Sequence, residues 1–184
     1  MATTTEALWT AEDFGKRPDP GHPEELVQGR IIEMPPPDRL HGFVCGRTSY
    51  WLNLFLEERD LGRVMSNDSG VITGRDPDTV RGADVAFYSY ERLPRGPLPV
   101  GYGPQVPELV VEVRSASDRW SEILEKVGEY LAAGVLAVVV LDPEPRVAHV
   151  FSGEAAPRRL GASEELTLPG VLDEFRAVVG RFFE

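Results

Sequence analysis

A carboxylate stands inside a short apolar segment of this sequence. Glu112 lies between Leu109 and Val113, where leucine and β-branched residues are typical of a buried strand. An unpaired charge there costs several kcal/mol, or its pKa rises until the group is neutral. The side chain therefore needs a partner, which is either a bound metal ion or a nearby cation such as Arg114 or Lys126.

A second acidic residue precedes another apolar segment. Asp84 comes just before the apolar run that ends at Tyr88, which predicts that it stands at or near the start of a buried strand. Consecutive strands usually pair or lie close in one sheet, so Asp84 and Glu112 are expected to approach each other. Two carboxylates form a hard-oxygen site suited to Mg²⁺ or Mn²⁺. Asp84 alone is also explained as an ordinary residue at the start of a strand.

Two further residues could complete such a site. Lys126 borders the apolar stripe of a helix predicted over residues 119–133, and its long side chain can reach past the helix edge. A simpler explanation is an i, i+4 ion pair with Glu122, worth about 0.3 to 0.5 kcal/mol. Glu25, in an extended segment, could supply another oxygen. His41 could cap or line the groove, but it is interpreted as structural, because a lone histidine more often is.

The elements that must position these residues follow a recognisable order. In sequence, they are a short helix at 8–14 capped by Thr10, a hairpin over 25–34 turning at Gln28-Gly29, a core helix over 40–61, strands at 63–66 and 70–73, the Asp84 strand, a Pro/Gly-rich loop at 94–107, the Glu112 strand, the helix over 119–133, strands at 135–141, 146–151 and 158–160, and a closing helix over 172–183. This order indicates an α/β (α+β) domain with a mixed central sheet.

Composition restricts the class of protein. A length of 184 residues suits a single domain over 1–184, and 42% hydrophobic with 27% charged residues is typical of a soluble globular protein. No apolar run approaches the ~20 residues needed to cross a bilayer, and residues 1–6 lack the basic start of a signal peptide. We therefore expect a cytoplasmic protein without membrane contact. The net charge of −11 argues against non-specific coating of nucleic acid, although carboxylate-based metal chemistry on phosphodiesters remains compatible with it.

Short motifs also occur in a distinctive order along nearly the whole chain. They are Glu25-Leu26-Val27-Gln28-Gly29-Arg30, Pro35-Pro36, His41, Ala83-Asp84-Val85-Ala86-Phe87, Pro107-Glu108-Leu109-Val110-Val111-Glu112-Val113-Arg114-Ser115-Ala116-Ser117, Glu125-Lys126-Val127-Gly128-Glu129-Tyr130 and Leu141-Asp142-Pro143. This series resembles the Uma2 family, also known as DUF820, of the PD-(D/E)XK superfamily. The resemblance implies a restriction-endonuclease-like fold, a mixed central β-sheet flanked by α-helices, with a metal-dependent phosphodiesterase site.

The resemblance also implies roles for the candidate residues. Asp84 matches the aspartate of the PD half-motif, Glu112 the second acid, and Glu25 the acid of the N-terminal segment. Lys126 matches the lysine on the following helix. Asp84 and Glu112 would then hold Mg²⁺ or Mn²⁺, while Lys126 orients water or stabilises charge. Arg114 replaces the lysine of a standard E-x-K motif, and its guanidinium effectively never deprotonates.

The function implied by the resemblance is metal-dependent endonucleolytic cleavage of nucleic acid, most simply DNA, by a homodimer. One alternative is a protein that keeps the nuclease fold but only binds nucleic acid or assembles with other molecules. Another is a metal-dependent hydrolase of small phosphoesters.

Overall fold

The chain folds into an eight-stranded mixed sheet with helices packed on its two faces. The computed structural model describes residues 7–98, 100–153 and 155–184. The helices are α1 (Ala11–Phe14), α2 (Arg39–Leu56), α3 (Trp120–Ala133) and a final 3₁₀ helix, Val179–Phe183. The strands are β1 (Glu24–Val27), β2 (Arg30–Glu33), β3 (Gly62–Gly74), β4 (Thr79–Ser89), β5 (Leu109–Val113), β6 (Ala137–Asp142), β7 (Val147–Phe151), β8 (Arg158–Leu160), β9 (Glu165–Leu168) and β10 (Leu172–Val178).

The long strand β4 organises the sheet. The main order is β2-β1-β4-β5-β6-β7-β8, with β3 paired along β4 and with β9 and β10 forming a separate ribbon. Among the pairings in the main sheet, β5 and β6 are parallel and the others are antiparallel. Helix α3 makes the crossover that a parallel pair requires. The mixed sheet expected from the order of elements is confirmed.

One edge of β4 is shared by two strands that do not meet. β3 occupies the other edge from one end of β4 to the other. On the shared edge, β1 pairs at Val80, whereas β5 pairs only from Val85 to Phe87. The backbone of β4 between these contacts, residues 81–84, has no strand beside it on this edge. Its polar groups must find other partners, and this gap is where the candidate site lies.

The sheet is buried on both faces, which explains the continuous apolar sequence of its central strands. Side chains alternate across a strand. Along β5, Leu109, Val111 and Val113 therefore pack with α2 and the C-terminal segment, while Val110 packs with α3. Glu112 lies on the α3 face.

Several local predictions are confirmed. Thr10 caps α1 by accepting from the amide of Asp13. Gln28 and Gly29 both have positive φ, as a two-residue hairpin turn between β1 and β2 requires. Gly134 ends α3 in the left-handed conformation, with φ of 103°. Residues 94–98 and 100–107 form neither helix nor strand, as expected for a loop.

The prediction for the second helix is wrong at its C-terminal end. α2 ends at Leu56 rather than near residue 61, and Gly62 begins β3 instead of stopping the helix. The predicted pair of strands at 63–66 and 70–73 is one strand, interrupted by a bulge in its pairing with β4 between Ser66 and Ser69. The bulge lies where the apolar pattern of the sequence is interrupted, and the strand continues through it.

The closing helix predicted over 172–183 is also wrong. Those residues form β10 and the 3₁₀ helix, and β10 pairs with β9 as an antiparallel ribbon. A local apolar pattern cannot reveal that β9 is available as a partner, and such tertiary pairing overrides weak helical spacing. Within the described residues, no helix is long and apolar enough to cross a membrane.

Candidate active site

The four residues singled out from the sequence line one cavity of about 570 Å³. They come from different elements: Glu25 from β1, Asp84 from β4, Glu112 from β5 and Lys126 from α3. The three acids are at least nine-tenths buried. The cavity lies at the gap in the sheet, where the beginning of β1 and the end of β5 approach the same edge of β4.

Asp84 stands in the middle of β4, so the prediction that it lies at or near the start of a strand is wrong, although the strand is buried as expected. The sheet register places it beside Glu112. Val85 pairs with Val111, and the next residues outward, Asp84 and Glu112, occupy adjacent positions on one face. The regular pairing ends there because Oδ2 of Asp84 accepts a 2.6 Å hydrogen bond from the amide of Val113. Asp84 is thus fixed by the backbone of the neighbouring strand.

His41 is the other partner of Asp84. Its Nε2 lies 3.2 Å from Oδ2 of Asp84, and its side chain lines the cavity from the first turn of α2. Burial lowers the pKa of His41, but the bonds to Asp84 and to Cys45 outweigh that effect and raise it to about 11. His41 is therefore an imidazolium at neutral pH and forms a true ion pair with Asp84.

Glu112 is held by one hydrogen bond and one nearby amine. The hydroxyl of Tyr130 donates to its Oε1 over 2.9 Å, and Nζ of Lys126 lies 3.9 Å from its Oε2. Burial raises the pKa of Glu112 to about 8, with Asp84 contributing and with Lys126 acting in the opposite direction. The amine therefore only partly compensates the buried carboxylate. The alternative pairing with Arg114 is wrong, because Arg114 contacts Asp142 at 3.3 Å.

Lys126 reaches from α3 across to β1. Its Nζ donates a 2.7 Å hydrogen bond to Oε1 of Glu25. Burial lowers the pKa of Lys126, but Glu112 and Glu25 raise it overall above its ordinary value. The amine therefore stays charged at neutral pH. The simple i, i+4 pair with Glu122 is wrong: within the described chain, the ion-pair partner of Glu122 is Arg119.

Glu25 accepts from three donors. Besides Lys126, it takes hydrogen bonds from Nη1 of Arg81 at 2.9 Å and from the amide of Gly82 at 3.1 Å. Arg81 is buried and also donates two hydrogen bonds to Glu129, of 2.6 and 2.8 Å. The carboxylate of Glu25 thus satisfies one amide of β4 in the gap, that of Gly82, and at the same time positions the amine of Lys126.

Asp68 adds a further carboxylate at the rim of the cavity. It lies in the β3 bulge, where Asn67 and Asp68 both have positive φ. Burial and the neighbouring charge of Asp84, with which it shares a hydrogen bond, raise the pKa of Asp68. Asp68 thus adds a third acidic side chain on the side of the cavity where Asp84 and Glu112 lie.

Three further residues hold this arrangement: His41, Arg81 and Tyr130. The sequence singles out none of them as a site residue and favours a structural role for His41. Arg81 carried a usable signal, because it is a charged residue in the same buried strand as Asp84 and the argument applied to Glu112 applies equally to it. The only sequence signal for His41 was its place in the ordered motif series, because its contact with Asp84 depends on how α2 lies against the sheet.

The donors fit a hard divalent cation. Asp84 and Glu112 offer carboxylate oxygens from adjacent strands, and Mg²⁺ takes one or two protein carboxylates while keeping water and phosphate oxygens as its other ligands. Burial is the main reason that the pKa of Glu112 is raised, and a cation in the cavity would favour its charged form. Nζ of Lys126 lies 3.9 Å from Oε2 of Glu112, close to these oxygens.

The sheet, its flanking helices and this cavity define a restriction-endonuclease-like protein. The family model of Uma2, described as "Putative restriction endonuclease", matches residues 11–180. The chain belongs to the Uma2 family. A "putative nuclease belonging to DUF820" from Anabaena variabilis shares the fold with a TM-score of 0.81 and 17% identity, over 95% of this chain and 97% of that chain. No curated protein matches the sequence.

Proposed function

We propose that this protein is an endonuclease that hydrolyses phosphodiester bonds of DNA, with Mg²⁺ or Mn²⁺ held by Asp84 and Glu112. The observation that carries the proposal is the shared cavity: two acids at adjacent positions of β4 and β5 face it together with Lys126. The family description, restriction endonuclease, supports a nucleic-acid substrate. When bound there, Mg²⁺ supplies Lewis-acid polarisation of a phosphoryl oxygen and acidification of water.

The protein's own contribution is to hold its groups in place before the substrate binds. Asp84 is fixed by the amide of Val113 and by His41, and Glu112 is fixed by the hydroxyl of Tyr130. Their oxygens therefore do not need to reorganise when charge develops in the transition state, which is the main source of electrostatic catalysis.

Lys126 stabilises the negative charge that develops on the phosphoryl group. Because its pKa lies above the ordinary value, the side chain donates hydrogen bonds and does not remove a proton at neutral pH. Glu25 acts on the substrate only through Lys126: it positions the amine and is in turn held by Arg81. Glu25 is thus a positioning residue of the site.

A plasmid-nicking assay with a parallel Mg²⁺ titration tests the function. Wild type should nick supercoiled plasmid in Mg²⁺ and lose the activity in chelator. Asp84→Asn and Asp84→Ala should lose both nicking and Mg²⁺ binding, because they remove a proposed ligand. Asp60→Asn is the matched control, since Asp60 pairs with Arg95 on the surface away from the cavity. Nicking by Asp84→Asn at the wild-type rate would contradict the proposal.

The same assay separates the two alternatives. A binding or assembly module predicts retention of DNA that chelator does not affect, without any nicking. A small-phosphoester hydrolase predicts release of phosphate from nucleotides or aryl phosphates and no cleavage of plasmid. Only Mg²⁺-dependent cleavage of the polymer agrees with an endonuclease.

We also propose that the enzyme acts as a homodimer. The support is an apolar stripe on the outer face of α2, where Leu40, Phe43, Tyr50 and Leu54 are each about half exposed. These residues, expected from the sequence to belong to a core helix, follow helical spacing along one side. Light scattering should give the dimer mass for wild type, and Phe43→Glu should reduce it to the monomer.

A further inference from the structure

A second group of ligand-type side chains lies beside the proposed Mg²⁺ site. His41 and Cys45 stand one turn apart on α2, with Sγ of Cys45 3.5 Å from Nδ1 of His41. Nε2 of His41 is 3.2 Å from Oδ2 of Asp84. One ligand atom from each of the three residues lies within 4.8 Å of the others, and no other group of three in residues 7–98, 100–153 and 155–184 comes so close.

The chemistry of these donors differs from that of the Mg²⁺ site. Imidazole nitrogen with thiolate sulfur favours Zn²⁺, whereas Mg²⁺ requires oxygen. Two ligands at i and i+4 on one helical face can reach the same metal ion, which is the spacing of His41 and Cys45. Three protein ligands with one open position are typical of an exchangeable zinc site, and the cavity provides the open side.

We propose that His41, Cys45 and Asp84 bind Zn²⁺, and that zinc bound there withdraws Asp84 from the Mg²⁺ site and inhibits the enzyme. The inhibitory half rests on the proposed nuclease function, whereas the binding half stands by itself. Zinc binding releases a proton from the imidazolium of His41 and one from the thiol of Cys45. Cys45, which plays no part in the proposed cleavage, is thereby given a function in sensing metal ions.

Cobalt spectroscopy tests the binding half on the full-length protein. Co²⁺ replaces Zn²⁺ in such sites, and a thiolate ligand gives a charge-transfer absorption in the near ultraviolet. Wild type should show this band, and Cys45→Ser and Cys45→Ala should lose it. His22→Gln is the matched control, because His22 lies near two surface carboxylates, Glu24 and Glu33, and should keep the band. Absence of the band in wild type, or its persistence in both Cys45 variants, overturns the proposal.

Calorimetry with Zn²⁺ gives a second readout. Wild type should bind one equivalent, and Cys45→Ser and His41→Gln should bind at least about tenfold more weakly, as expected when a ligand is removed. Circular dichroism establishes that each variant is folded. Zinc affinity equal to that of wild type in the folded Cys45→Ser protein overturns the site.

The inhibitory half is measured as the ratio of nicking rates with and without Zn²⁺ at fixed Mg²⁺. Cys45→Ser should raise the zinc concentration for half inhibition by at least about tenfold. An unchanged value contradicts the inhibitory half. If wild type does not nick DNA at all, the nuclease proposal fails, while the cobalt spectrum still decides whether the zinc site exists. If wild type nicks DNA but shows no cobalt band, the zinc proposal fails and the nuclease proposal stands.

Discussion

Tyr130 donates a 2.9 Å hydrogen bond to Oε1 of Glu112; Tyr130 is fully buried between α3 and the sheet, and Glu112 is buried at the wall of the cavity. Tyr130 is among the largest fully buried side chains of the described residues. Its hydroxyl also lies 3.4 Å from the carbonyl oxygen of Gly82 in the gap of β4. The ring therefore connects the helix to the acid and to the unpaired backbone at the same point.

Tyr130→Phe should destabilise the protein by about 1 kcal/mol, because it removes one hydrogen bond from a buried carboxyl group while leaving the ring packing intact. It should also weaken Mg²⁺ binding, since Glu112 loses the donor that favours its charged form. Urea denaturation and a Mg²⁺ titration measure the two effects. Tyr88→Phe is a control, as Tyr88 is buried on another part of the sheet. Equal Mg²⁺ affinity in wild type and Tyr130→Phe would disagree with this role.

Lys126→Met should reduce the nicking rate by roughly 10², comparable to removal of a preorganised charge stabiliser. The sequence contains only two lysines, so Lys16→Met is a matched control, and Lys16 is an exposed residue of the N-terminal region. The loss should appear mainly in kcat, because Lys126 acts on charge that develops in the transition state. A change confined to KM would indicate that the amine only binds DNA.

The sequence identified four residues that line one cavity, but not the contacts that hold them there. Glu112 could be found because a carboxylate in an apolar strand demands compensation, and its partner Lys126 lay on the next helix. The same rule would have found Arg81, whose guanidinium is buried between Glu25 and Glu129. The gap in β4 could not be predicted, since it depends on how far β1 and β5 extend along one edge.

The errors in the fold have a common physical origin. At residues 172–183, apolar spacing was compatible with a helix, but pairing with β9 stabilises a strand. On α2, spacing indicated a core helix, yet Phe43 and Tyr50 are about half exposed because the sheet covers only one side of the helix. Periodicity identifies apolar positions, but contacts with distant segments of the chain determine what covers those positions.

Arg81→Met should be strongly destabilising, by about 3 kcal/mol, because it leaves two carboxylates near the cavity without their shared cation. Glu25 would keep Lys126 as a donor, and Glu129 would lose both of its hydrogen bonds to the guanidinium. Arg95→Met, which breaks an equally short but exposed pair with Asp60, should have little effect. Similar urea midpoints for the two variants would refute the role assigned to Arg81.

Glu112 should make the stability of the metal-free protein depend on pH. Its pKa is raised by burial to about 8 from an ordinary value of 4.5, so over this range the folded protein retains a proton that the unfolded chain releases. The free energy of unfolding should therefore fall as pH rises from about 4.5 to about 8, and the stabilisation is complete only below the lower value. Glu112→Gln has no ionisable group at this position, so its free energy of unfolding should not show this fall with pH.

Urea denaturation in chelator at several pH values between about 5 and 9 measures the effect. The stability of Glu112→Gln relative to wild type should increase up to about pH 8, because the carboxyl group is ionised in the unfolded wild-type chain but keeps its proton in the folded protein, and it should change little above that pH. Saturating Mg²⁺ should reverse the trend for wild type alone, because the cation binds the carboxylate and is linked to release of the proton. A difference between the two proteins that stays constant with pH would show that Glu112 is already ionised in the metal-free fold, with Lys126 compensating its charge fully.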